Sequence, residues 1–273
     1  MPQPLLPDVW FSIQDGSLGI LPPPTDGVSA KIGVASSGPV NEIVSVTNLK
    51  QVQDTFGSGP LAEALATHLA LSGGAVYAIR VNASVGGSIS SVTKTGTGTG
   101  TLAIGGNPLD SYALQIRITR DGVNLAAGTA AFRYSLDGGD NVSPEIAVPI
   151  AGTYALPGTG LTLTFTNGGG GTSFAAGDVY TATTSAPTYT LSDLNTAITV
   201  LLADPREWGW LHVVGAATPA IAAGVATRLQ EAESNYRFAF ALLEAADDTD
   251  ANLLSTWFQS SLELSPECNA PGG

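Results

Sequence analysis

The chain of 273 residues is long enough for one large domain or two ordinary ones, and its 44% hydrophobic content supplies each with a buried core. Ten Lys and Arg against 23 Asp and Glu leave a net charge of −13, which excludes nucleic acid as the main ligand because phosphate binding needs a basic stripe. One cysteine, Cys268, and two histidines, His68 and His212, exclude an intrachain disulfide and give a Cys/His zinc site no basis.

Residues 1–27 are rich in proline and read as an extended N-terminal arm with one short strand at Val9, Phe11 and Ile13, because proline does not propagate a helix. Val9, Trp10, Phe11, Ile13, Leu18 and Ile20 are too apolar to leave in water; burying each large side chain fully is worth about 1.5–3 kcal/mol. They are the candidate subunit-interface residues. The terminus lacks a charged segment followed by an apolar one, and no run of about 18 apolar residues occurs, so neither export nor membrane insertion is expected.

From Val28 the pattern is α/β. It predicts strands at 30–35 and 43–46, a helix at 48–55 with Leu49, Val52 and Phe56 inward, and a helix from Pro60 to about 71 ended by Gly73 and Gly74. A strand at 75–81 follows. Residues 85–187 change character: Gly, Thr and Ser dominate and helical periodicity vanishes. Short alternating runs at 99–104, 112–119, 130–134, 161–166 and 179–183 predict a small all-β sandwich. The α/β pattern then returns with helices at 191–202, 219–233 (after a Thr218 cap) and 250–261, and strands at 208–214 and 238–243. The expected fold is therefore an α/β core, a mixed sheet with flanking helices made of 28–84 and 188–273, interrupted by an inserted sandwich-like β-domain at 85–187.

Sites of chemistry are scarce. Gly57-Ser58-Gly59 precedes a helix but follows a helical segment, and Val214-Gly215-Ala216-Ala217-Thr218 has neither a GxGxxG pattern nor a Walker lysine, so both read as packing turns. Residues 168–171, four glycines, read as a hairpin loop. His68 and His212 have no Ser, Cys or carboxylate at motif spacing and read as packed histidines. Asp137-Gly138-Gly139-Asp140-Asn141 lacks the ligand spacing of an EF-hand and reads as a turn; Asp247, Asp248 and Asp250 read as an acidic helix start. No catalytic, cofactor-binding or metal-ligating set is expected. Acidity concentrates in 188–273, with three Arg against eleven Asp and Glu, and Glu231 and Glu233 are its candidates for meeting a basic partner.

Residues 14–19 (QDGSLG), 22–28, 33–39 (GVASSGP), 46–49, 56–57, 60–64 and 73–81 together resemble the N-terminal region of phage contractile-tail sheath proteins. The likeness covers 14–84 and 188–262. It implies an α/β core with an inserted β-domain and a non-enzymatic subunit that polymerises as rings around a tail tube. Contraction by conformational rearrangement would then drive the tube through the host envelope. The implied partners are other copies of itself, the tail tube protein, and baseplate and tail terminator proteins. The implied location is the virion, with the bacterial host cytoplasm before release. Glu231 and Glu233 would face the tube. Sheath proteins usually continue into further strands, a helix and a C-terminal arm where this sequence stops, which leaves open both a complete, contraction-competent subunit and a truncated or specialised relative. A reading from another class makes the chain a carbohydrate-binding or adhesive surface protein that uses its β-domain.

Overall fold

The structure, a computed structural model, describes residues 28–235 and 237–245. The proposed arm, with Val9, Trp10, Phe11, Ile13, Leu18 and Ile20, and the helix expected at 250–261 lie outside the described residues.

Strand β1 (Ser29–Gly33) is buried along its whole length, as a central strand covered on both faces must be. After β2 (Ile43–Val46), Asn48 caps α1 (Leu49–Phe56) by accepting the Gln51 backbone N–H at 2.9 Å. Leu49, expected inward, is 48% exposed, so only Val52 and Phe56 anchor this helix. Helix α2 (Pro60–Ser72) opens on a first-turn proline and closes at Gly73, which takes the left-handed conformation at φ 63°. Strand β3 (Val76–Arg80) completes the first half of the core.

The insert contains β4 (Thr93–Thr95), β5 (Thr101–Gly106), β6 (Ala113–Arg120), β7 (Ala131–Ser135), β8 (Ile146–Ala147), β9 (Thr153–Leu156), β10 (Leu161–Thr166) and β11 (Val179–Thr183). They form two antiparallel sheets, β5-β10-β9 and β4-β11-β6-β7-β8. Strict alternation turns Leu114, Ile116 and Ile118 of β6 toward Leu161, Leu163 and Phe165 of β10, which makes the sandwich core. Its centre is aromatic, with the Phe132, Phe165 and Phe174 rings in series at centroid distances of 5.2 and 5.7 Å. The glycine run 168–171 lies between β10 and β11, which belong to different sheets, so it is a crossover and not the expected hairpin loop. Gly168 is required there by close approach, since a Cβ would sit 2.3 Å from the Thr99 carbonyl oxygen.

Thr190 then caps α3 (Leu191–Ala203) with a capping box. Its side chain accepts the Asp193 N–H, and Asp193 accepts the Thr190 N–H at 3.0 Å. Strand β12 (Trp210–Ala217) begins and ends later than the alternation suggested. Thr218 caps α4 (Pro219–Ser234), and β13 (Phe240–Ala245) ends the described chain.

The core sheet runs β13-β12-β1-β3-β2, with β13, β12, β1 and β3 parallel and β2 antiparallel at the edge. Period-2 alternation sends Ala30, Ile32, Leu211 and Val213 to one face under α3 and α4. Val76 and Ala78 go to the other, with Phe56, Leu61 and Leu65 of α1 and α2. The two crossings into the sandwich run side by side. Val85 and Thr188 exchange backbone hydrogen bonds of 3.1 and 2.8 Å, and Ser185 N–H donates to Ser88 at 3.0 Å. Gly87 permits this ribbon, because a Cβ there would lie 2.3 Å from the Ser185 carbonyl oxygen.

Candidate functional site

From β1 the chain travels one way along the sheet to β3, and from β3 it returns past β1 to β12. The carboxyl ends of β1 and β12 therefore form the topological switch point, where open α/β sheets hold their ligands. A cleft of about 770 Å³ lies there, between core and insert. Val34, Glu63, Gly215 and Glu244 line it from the core, and Asp110 and Ser185 from the sandwich.

The proline start of α2 places Glu63 in the first helical turn, facing the seam. Asp110, in the loop after β5, is 8% exposed and takes the Ser111 N–H at 2.8 Å. The two carboxyls line the same cleft from opposite sides of the seam. Burial raises the pKa of both, and the Asp110 charge raises Glu63 further, so each stays protonated to higher pH than a free carboxyl would. Burial and these same two acids push the Tyr112 hydroxyl up to about 12.

An anion finds no welcome in this cleft. At the Gly215 bulge near the end of β12, where a phosphate would sit, the Gly215 N–H already donates to Glu244 Oε2 at 2.9 Å. Gly57 terminates α1, and the Ser58 N–H is taken by Ser36 Oγ at 2.9 Å. The Gly57, Ser58 and Gly215 N–H groups are thus all taken by the protein itself.

Glu244 also ends a polar chain, running from buried Lys31 to the surface, that sequence reasoning missed. Lys31 Nζ lies 2.9 Å from His212 Nδ1, and His212 Nε2 lies 2.9 Å from Glu244 Oε1. An ammonium only donates, so Nδ1 accepts from Lys31 and Nε2–H donates to Glu244; the imidazole is neutral between a cation and an anion. Burial lowers the pKa of His212 and the Lys31 charge lowers it further, while burial lowers Lys31 itself. His68 of α2 packs on Trp210, ring centroids 6.1 Å apart, and Lys31 Nζ stands 5.5 Å over the same indole. One signal was readable: a lysine in the middle of an otherwise apolar strand needs a partner. Neither Lys31 nor His212 lines the cleft, and Glu244, which does, is held by His212 Nε2 and the Gly215 N–H, so the chain ties three strands together.

Glu231 and Glu233 are both exposed on α4, and Glu231 pairs with Arg228 Nη1 at 2.8 Å. They lie away from the cleft lining. The Asp137 loop closes on itself. Asn141 N–H at 2.9 Å and Asn141 Nδ2 at 2.6 Å donate to the Asp137 carboxylate, and these with the Ser135 hydroxyl hold it well below the usual carboxylate range. Among the described residues no group of three or more His, Cys, Asp or Glu could hold a metal ion, and no helix is long and apolar enough to cross a membrane.

No curated protein matches the chain. Two solved structures are similar to it: a sheath tail protein from Listeria innocua, at 13% identity and TM-score 0.33, and a sheath tail protein from Desulfitobacterium hafniense, at 16% and 0.35. The matches cover 77% and 86% of this chain, which spans 45% and 58% of theirs. Residues 6–271 match the family described as DUF2586, N-terminal domain, and the chain belongs to that family.

Proposed function

We propose that this chain is a structural, non-enzymatic subunit of a contractile phage tail, joining copies of itself in rings around a tail tube. The observation that supports this most directly is the edge of the core sheet. Among the described residues β13 pairs only with β12, which leaves the outer N–H and C=O groups of β13 open. One face of this strand exposes Phe240 at 56% and Leu242 at 47%, and Phe238 just before it is 73% exposed. An open apolar edge is a template for a strand from another chain. The proline-rich arm, with Val9, Trp10, Phe11 and Ile13, supplies such a strand in this reading, linking subunits by main-chain hydrogen bonds while the rigid domains rotate during contraction. Glu231 and Glu233 face the tube, and the baseplate and terminator cap the two ends.

Electron microscopy of the purified full-length protein tests the proposal. Rings or striated tubes are expected, and the chain lacking 1–24 should stay folded but form neither. Charge reversal by Glu231→Lys with Glu233→Lys should weaken decoration of tail tubes while leaving the Tm of the free subunit unchanged, because exposed pairs contribute only about 0–1 kcal/mol. Monodisperse particles at every concentration, or polymers unaffected by loss of the arm, would overturn it.

A further inference from the structure

The outer face of the five-stranded sheet of the sandwich carries a feature that costs the fold stability. In the antiparallel pairing of β6 with β7, Arg117 stands directly opposite Arg133. Directly opposed side chains on neighbouring strands have Cβ atoms about 4.5–5.5 Å apart, and like charges there repel. Both arginines are exposed, and among the described residues neither guanidinium has an ion pair or a side-chain hydrogen bond. Elsewhere the same sandwich pairs its cations: Lys94 meets Asp178 at 3.4 Å and Arg120 meets Glu145 at 2.9 Å. The opposed pair is therefore not the default of a charge-poor chain.

The two arginines line an open groove of about 670 Å³. Its one lining carboxylate, Glu145, is already committed to Arg120 Nε, so the two lining guanidiniums stand without an anion in a protein of net charge −13. Two further lining groups offer unused hydrogen-bonding capacity. Thr119 Oγ1 is buried without a partner, and Gln115 uses only its amide nitrogen, which donates to the Gly138 carbonyl at 3.3 Å. Guanidinium groups only donate, in a planar fork that matches a carboxylate bidentately. Beside them the groove presents the Gln115 amide and the Thr119, Tyr134 and Ser135 hydroxyls together with apolar surface from Val142 and Ala176. That combination suits a ring bearing one carboxylate and several hydroxyls.

We propose that the Arg117–Arg133 groove is a binding site for acidic polysaccharide, with the two guanidiniums sharing a uronate carboxylate and Thr119 and Gln115 meeting ring hydroxyls. The site belongs to the sandwich alone and does not depend on whether the core assembles into a sheath.

Titration of the full-length protein with an oligogalacturonate, followed by calorimetry at 0.05 M and 0.2 M salt, tests it. Saturable binding is expected that weakens at the higher salt, and the neutral methyl ester of the same oligomer should bind at least tenfold more weakly. The double variant Arg117→Gln with Arg133→Gln should lose at least tenfold in affinity. The single variant Arg117→Gln should raise the Tm, since it removes the repulsion without touching the core; this also shows that the variants fold. No binding of the acidic oligomer, equal affinity for its ester, or binding that survives the double substitution would overturn the site. An oligoglutamate peptide bound as tightly as the oligogalacturonate would overturn the polysaccharide assignment in favour of an acidic protein partner.

Discussion

Asp178, 1% exposed, shows how a single side chain organises a glycine-rich sandwich. Its Oδ1 accepts the Thr97 and Gly98 N–H groups at 2.9 and 3.1 Å, Oδ2 accepts Ala175 N–H at 3.1 Å, and the Lys94 ammonium stands 3.4 Å away. Burial alone would raise its pKa, but the donated hydrogen bonds and the Lys94 charge outweigh burial and lower it. Lys94 in turn donates to the Gly98 and Gly100 carbonyls and lies 5.2 Å over the Tyr180 ring. Removing one member of so enclosed a pair strands the other charge. Asp178→Ala is expected to cost about 3–5 kcal/mol, read as a drop in the urea midpoint of the full chain. The exposed Asp140→Ala should change it by less than about 0.5 kcal/mol.

At the scale of the element, the polar chain from Lys31 through His212 to Glu244 makes the edge strand β13 sensitive to acid. The folded pKa of His212 lies below its ordinary 6.5, so this stabilisation is fully present above that value and is lost as pH falls through the lower folded value. A protonated imidazole has two donors and no acceptor, so it would face the Lys31 ammonium with like charge, keep Glu244, and gain nothing from His68, whose own pKa burial and Lys31 also lower. Amide exchange across β12 and β13, corrected for intrinsic rates, should therefore lose protection between pH 7 and pH 5. In His212→Gln that loss should be absent; an identical pH profile in the variant would remove the imidazole from the account. Most helices were legible because their signals are local: Pro60 and Gly73 bound α2, and Thr218 caps α4. The strands β4, β8 and β9 were not, since runs of three, two and four residues become strands only through their neighbours. The polar chain was equally hidden, because Lys31 and His212 stand 181 residues apart and meet only when β12 pairs with β1. Alternation turns Arg117 and Arg133 outward, but only the β6–β7 register places them opposite each other.

For the whole molecule, the side-by-side crossing at Val85 and Thr188 supports the proposal that 85–187 is a separable insert. Replacing 86–186 with a short Gly/Ser bridge should leave the core with a single cooperative urea transition, because the bridged ends already touch and loop-closure entropy depends only weakly on loop length. A core that fails to fold would show that the sandwich is part of its structure. Excision removes the seam between the two: the Glu63–Asp110 pair, and the approach of the Leu109 carbonyl to Gly59, where an added Cβ would lie 3.2 Å away. The same ribbon has a mechanical meaning. Two chains leaving the core side by side carry tension through one point, while the seam, where the Leu109 carbonyl closes on Gly59, supplies a second point that resists bending. At its base Asp193 receives the Ser84 hydroxyl, the Asn82 amide and the Thr190 N–H, which binds both chains of the ribbon to the first turn of α3. A pull on the sandwich therefore enters the core at that helix end and at the end of β3. The far sheet edge, where among the described residues β13 pairs only with β12, stays out of the line of force.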